Sequence, residues 1–373
     1  MHIAMVCYPS HGGSGVVASE LALGLADRGH IAHIVSYSVP FRLRTFNPRV
    51  RIHEVEVTTY PLFKYPPYTL GLATKLAEVA AEQSLDVIHA HYAVPHAVSA
   101  YLAKQILGEG APKIVTTLHG TDITLVGADK SFHRVTKFAI EVSDAVTAVS
   151  HFLKQRTIEE FSLEREVDVI YNFVDTTGGS RASSTGELGR EHWAPAGEKI
   201  VMHASNFRPV KRVSDVVRVF DLLRRDVPSK LLFVGEGPER LFVKQLVKEL
   251  GLSEHVHFLG EQDYLENVLS CVDLLLVPSE QESFCLVALE AMNCGVPVVG
   301  TAVGGLPEVV THGETGFLFP VGEIRAMADA AIDLLSNPEK HRHFASAART
   351  RAAAEFDSKK IIPQYEALYE RLL

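Results

Sequence analysis

Residues 282–301, ESFCLVALEAMNCGVPVVGT, decide the fold. A polar turn opens an apolar helix, Gly295, Val296 and Pro297 stop it, and a new β-branched strand follows. Two acids frame the helix, Glu282 at its entrance and Glu290 seven intervening residues later. Glu290 is set among Leu286, Val287, Leu289, Ala291 and Met292, where a carboxylate is costly to bury unless something hydrogen-bonds it. Sugar or ribose hydroxyls are suitable donors. Ser283 is predicted as the N-cap, so that the backbone N–H groups of Ser283, Phe284, Cys285 and Leu286 face an anion such as phosphate.

Working outward, β-branched runs alternate with helical stretches at 2–8, 31–37, 86–92, 113–118, 145–149 and 167–171, and again at 200–204, 231–234, 256–259, 274–277 and 296–299. This rhythm predicts parallel sheets in an α/β protein. In the first helical stretch Val16, Val17, Leu21 and Leu25 mark one face and Gly29 ends it. A glycine- and serine-rich stretch at 176–199 interrupts the pattern. The chain's 373 residues exceed one ordinary core, so two Rossmann-like domains are expected, 1–175 and 176–355. The apolar spacing of the last segment, about 356–373, predicts a helix that packs back on the first domain.

Hydrophobic residues make up 47% and charged residues 22%, a globular balance. The net charge of −9 offers no basic face, which excludes nucleic acid as a partner. Four cysteines lack metal-finger spacing and the density of a secreted scaffold, and the first residues enter a strand without a leader or a membrane-length apolar span. A cytoplasmic protein is expected, and a homo-oligomer is compatible with this composition.

Ligands of such sheets gather beyond the carboxyl ends of the strands, where HGGSG, LHGTD, SNFRPVKR, VGEGPE and SEQESF fall. Gly13 lies in the glycine turn, where the backbone can approach a ligand at a helix start; the turn lacks the GxGxxG spacing of a dinucleotide site. Arg208 and Lys211 are long cations placed to clamp a diphosphate. His119 projects from a strand end, whereas His2, His33 and His257 read as packing or surface residues. His89, His91 and His96 cluster in IHAHYAVPHA, with His89 and His91 on one strand face and no HExxH or paired cysteines to complete a metal site.

These segments, with GGLPEVV and GETGFLF, resemble the retaining glycosyltransferases of family 4, which have the GT-B fold of two facing Rossmann-like domains around a deep cleft. CYPSHGGSG, HYAVPHA, TTLHGTDIT, IYNFVD and SNFRPVKR resemble a subset that transfers N-acetylglucosamine from UDP-GlcNAc to L-malate at the start of bacillithiol synthesis. The resemblance implies that Glu282 holds donor sugar hydroxyls, Glu290 the ribose, and 283–286 the backbone amides. It also implies that Arg208 and Lys211 bind the diphosphate of UDP, that His119 sits near the reacting carbon, and that Gly13 approaches the phosphate from the other domain as the lobes close. Ser14, Tyr92 and Thr117 are the implied acceptor contacts, and backbone near Leu259 is the implied uracil contact. Retention by front-side attack, with no metal cofactor, follows from the same resemblance.

Two positions depart from the family pattern: Cys285 replaces the usual glycine, and Asn206 replaces the usual arginine five positions before Lys211. Three other readings stay open: the same donor with an inositol phosphate or glycan acceptor, a sugar-nucleotide epimerase, and a non-catalytic sensor.

Overall fold

The computed structural model describes residues 1–9, 12–43, 46–57, 62–176 and 189–373, so positions 177–188 of the predicted linker lie outside the described residues. The chain forms two compact units, Met1–Asn172 with Lys359–Leu373, and Phe173–Ser358.

The first unit is built on β1 (His2–Val6), β2 (Ile31–Ser36), β3 (Val50–Glu54), β4 (Val87–His91), β5 (Lys113–Leu118), β6 (Ala145–Ala148) and β7 (Asp168–Val169). They form a parallel sheet in the order β3-β2-β1-β4-β5-β6-β7. The second unit carries β8 (Lys199–Ala204), β9 (Ser229–Val234), β10 (Val256–Phe258), β11 (Leu274–Val277), β12 (Val298–Thr301) and β13 (Gly316–Phe319). Their order is β10-β9-β8-β11-β12-β13, again parallel. Two strands go beyond the predicted set. β3 is an edge strand that leaves Arg51, Ile52 and Glu54 exposed, and β13 is a short Gly-Phe-Leu-Phe segment that buries only alternate residues, so neither shows the β-branched run by which the other strands were read.

Each unit buries its sheet under helices. In the second, the helix Val213–Asp226 turns Val213, Val216, Val217, Phe220 and Leu223 onto Leu231, Phe233 and Leu274, the spacing of one helical face. Burial of each such side chain contributes about 1.5–3 kcal/mol relative to exposure. In the first, Leu72 and Leu76 of the helix Tyr68–Gln83 cover Val6, Val35 and Ile88. His33 is fully buried on β2, with ring nitrogens 3.0 Å from His53 and 3.3 Å from His2, so it does pack.

Strand order reverses between β1 and β4 in one sheet and between β8 and β11 in the other. Chain leaving such neighbours diverges to opposite faces, so each reversal leaves a crevice beyond the strand ends. Gly13, Ser14 and Tyr92 follow β1 and β4; Arg208, Lys211 and Glu282 follow β8 and β11.

The last helix, Ser358–Leu372, buries Ile361, Ile362, Tyr365, Leu368 and Tyr369 within the first unit. The Tyr369 hydroxyl bonds His89 Nδ1 at 2.7 Å, and Glu366 bonds His30 at 2.7 Å as well as Arg28. Tyr369→Phe leaves a buried imidazole nitrogen unpaired and is expected to cost about 1–3 kcal/mol. The check is a lower denaturant midpoint at an unchanged m-value.

Candidate functional site

In the second unit the site is assembled from two loops. The loop after β8 makes a single 3-10 turn at Pro209–Lys211, and Val210 O accepts the Glu280 N–H at 2.8 Å, pinning this turn to the loop after β11. Arg212 reinforces the junction by bonding Asp215 at 2.6 Å and Glu280 at 2.7 Å. Lys211 is thereby brought to Glu282, Nζ to Oε1 at 2.7 Å, and Ser279 Oγ donates to the same oxygen at 2.7 Å. Glu282 Oε2 is left without a partner among the described residues. Burial opposes the charge on Lys211, but the Glu282 carboxylate outweighs it and holds the ammonium above its ordinary range.

The Arg208 side chain lies close enough to Lys211 to repel it electrostatically; its guanidinium makes no hydrogen bond or ion pair with the described residues and buries its Nε without a partner, the residue's backbone carbonyl alone accepting from the Lys211 N–H at 2.8 Å. A half-buried guanidinium left uncompensated beside a second cation is a site prepared for an anion.

The helix that carries Glu290 starts later than its sequence suggests. It spans Leu286–Asn293, and its N-cap is Cys285, so the predicted Ser283 cap is corrected; Ser283 and Phe284 form a bend ahead of it. The reason is Cys285, whose φ of 77° and ψ of 70° turn the chain left-handed before the helix begins. The amides that point out of the helix start are those of Cys285, Leu286 and Val287, which meet no acceptor among the described residues. Left-handed backbone costs a residue with a Cβ about 1–2 kcal/mol, which gives glycine at this position in similar chains a physical basis. The Cys285 thiol is buried next to Glu282 and Lys211, and burial pushes its pKa well up. Glu290 is 8% exposed, the buried acid that the sequence led us to expect.

GGLPEVV supplies the floor of this bend. Gly305 N–H donates to Glu282 O at 2.8 Å, and a Cβ on Gly305 would stand 2.2 Å from Ser283 O. His203, Ser279 and Thr301 were not read from the sequence. His203 donates to Leu276 O and accepts from Ser205 Oγ, both at 2.8 Å, while Thr301 Oγ1 donates to Ser279 O at 2.5 Å. They hold the two loops in place and carry no motif of their own. At Leu259 the N–H donates to Phe233 O and the carbonyl accepts from Gln262 Nε2, which leaves one carbonyl lone pair and no donor for a ligand.

In the first unit, Gly13 opens the helix Gly13–Asp27 and is exposed, while the Ser14 hydroxyl, in a mostly buried residue, has no partner among the described residues. His119 follows β5, half-buried; its ring lies 5.3 Å from Tyr92 and its Nε2 is 2.9 Å from His91 Nδ1. Tyr92 is held at a φ of 101°, strain of the kind found at functional sites. Thr117 is fully buried, its hydroxyl bonded to His89 Nε2 at 2.6 Å and to Thr147 at 2.7 Å, so it is committed to the interior. Asp122, also missed, gathers the Ala93, His119 and Gly120 amides, and burial raises its pKa to about 6.

Among the described residues no group of three or more His, Cys, Asp or Glu is arranged to hold a metal, and no helix is long and apolar enough to cross a membrane.

The family model for glycosyl transferases group 1 matches residues 187–351, and that for glycosyltransferase family 4 matches residues 11–177. The chain belongs to this glycosyltransferase family and has its GT-B fold, as the motifs indicated. It is 50% identical over 373 residues to N-acetyl-alpha-D-glucosaminyl L-malate synthase of Bacillus anthracis, covering 100% of this chain and 97% of that one. It is 28% identical to 2-deoxystreptamine N-acetyl-D-glucosaminyltransferase of Streptomyces fradiae, covering 93% and 89%. Among solved structures, Anabaena Alr3699/HepE in complex with UDP and glucose has a TM-score of 0.80 at 24% identity, with 100% of both chains covered. Sucrose-phosphate synthase from Thermosynechococcus elongatus gives 0.79 at 24%, covering 100% and 99%.

Burial lowers the pKa of His89 and His119 to about 3, of His96, His203 and His33 to about 4, and of His91 further below its ordinary value. In the unfolded chain these imidazoles titrate near 6.5. Their full contribution to stability is therefore present above about pH 6.5 and is lost as the pH falls, because only the unfolded chain takes up the protons. Asp122 acts in the opposite sense below about 6, but it is one group against six. The melting temperature is expected to be lower at pH 5 than at pH 7.5, as calorimetry would show.

Proposed function

We propose that this glycosyltransferase moves N-acetylglucosamine from UDP-N-acetylglucosamine to L-malate, retaining the anomeric configuration and using no resident metal. The observation that carries the reading is identity at half of all positions, over the whole length, with a relative named for that product.

The residues fit the chemistry. Negative charge builds on the leaving diphosphate, and Arg208, Lys211 and the amides of 285–287 are groups that stabilise it. Glu282, with one carboxylate oxygen open, is assigned to sugar hydroxyls, and Glu290 to the ribose. His119 is assigned to the transferred sugar near the reacting carbon, Gly13 to a phosphate, and Ser14 and Tyr92 to malate. The departing phosphate takes the acceptor's proton, so no protein base is required. A cytoplasmic location accompanies this reading.

Incubation of the pure protein with UDP-N-acetylglucosamine and a panel of acids and polyols is expected to release UDP and form glycosylated malate only with malate. UDP release confined to an inositol phosphate or a glycan would overturn the assignment, and sugar conversion without acceptor would point to an epimerase. Lys211→Ala is expected to depress kcat about a hundredfold or more, the range for losing a contact to transition-state charge. Glu290→Ala is expected to weaken donor binding in calorimetric titration; unchanged constants in either variant would remove that residue from the site.

A further inference from the structure

Beneath His119 lies a group of histidines that the proposed reaction leaves without a task. His89 and His91, two apart on β4, stack their rings with centroids 4.4 Å apart. Both nitrogens of His89 are satisfied, by Tyr369 and Thr117. His96 Nδ1 is 2.5 Å from His91 O; a carbonyl only accepts, so the hydrogen of His96 is on Nδ1.

His91 is different. Its Nδ1 faces His119 Nε2 at 2.9 Å, while its Nε2 is buried without a hydrogen-bond partner. Both rings are kept neutral by burial, so one hydrogen lies between them and each ring carries one in all. If His119 supplied that hydrogen, His91 would carry its own on Nε2, a buried N–H with no acceptor. If His91 supplies it, Nε2 is only an unpaired acceptor, which buried sites show more often than an orphaned donor. The second arrangement leaves the His119 hydrogen on Nδ1, which has no partner among the described residues.

We propose that His91 is a positioning residue that donates its Nδ1–H to His119 Nε2 and thereby fixes His119 as the Nδ1–H tautomer, a neutral hydrogen-bond donor turned toward substrate oxygen. The inference rests on the assignment of His119 to the transferred sugar. The stack of His89 against His91 and the bond from Tyr369 to His89 hold the donor ring in its plane. His119 then supplies an N–H to an oxygen of the ligand and exchanges no proton with it.

The test is a long-range nitrogen–proton correlation spectrum of the full chain labelled at histidine nitrogens, at pH 7.5, with the His119 signals assigned by their loss in His119→Gln. Hydrogen on Nδ1 of both His119 and His91 is expected; hydrogen on His119 Nε2 would overturn the proposal. This readout needs no turnover, so it stands even if no sugar is transferred to malate. In His91→Asn the amide keeps an N–H at the Nδ1 position, and kcat is expected within about threefold of the parent. In His91→Leu the donor is lost, and kcat is expected to fall about tenfold or more with the donor KM within threefold. The His119 hydrogen should then shift toward Nε2. Equal impairment of the two variants, or an unshifted tautomer in His91→Leu, would also overturn it; if the leucine variant fails to fold, the parent spectrum decides.

Discussion

The pairing of Lys211 with Glu282 organises the second unit. Two charges removed from water are each costly, and their mutual attraction offsets that cost only where geometry and further hydrogen bonds are good. Ser279 supplies the further bond, Thr301 holds Ser279, and Gly305 holds the backbone of Glu282. The loops after β8 and β11 therefore cannot drift apart without exposing a buried ion to an apolar wall. The Arg208 guanidinium, next to this pair, lacks any such compensation and buries its Nε without a partner among the described residues.

Much of this was legible beforehand. Parallel sheets follow from runs such as LLFV and LLLV, because a strand covered on both faces is nearly continuously apolar. Glu290 was legible for the same reason, as an acid inside an apolar stretch contradicts its surroundings. What escaped was decided by geometry that adjacent residues do not encode. The helix cap was placed two residues early because serine reads as a cap, while the left-handed turn at Cys285 is visible only in the backbone. Thr117 was expected as an acceptor contact from the resemblance, yet partners 28 and 30 residues away commit its hydroxyl to the interior. His203 and Asp122 bond across the sheet or around a turn, and no local pattern announces either.

The two units solve the same problem with different chemistry. The second concentrates cations, free amides and carboxylates, groups suited to a charged and hydroxylated ligand. The first surrounds the His119 ring with aromatic rings and neutral imidazoles, while the Asp122 carboxylate holds the backbone amides of the same turn.

The return of the final helix to the first unit has a consequence for biosynthesis. The second unit, Phe173–Ser358, is an uninterrupted segment, whereas the first needs Lys359–Leu373 to cover His89. On the ribosome the half that emerges first is thus the last to be finished. Until the final helix has emerged, the histidine stack lies open where Tyr365 and Tyr369 will later sit.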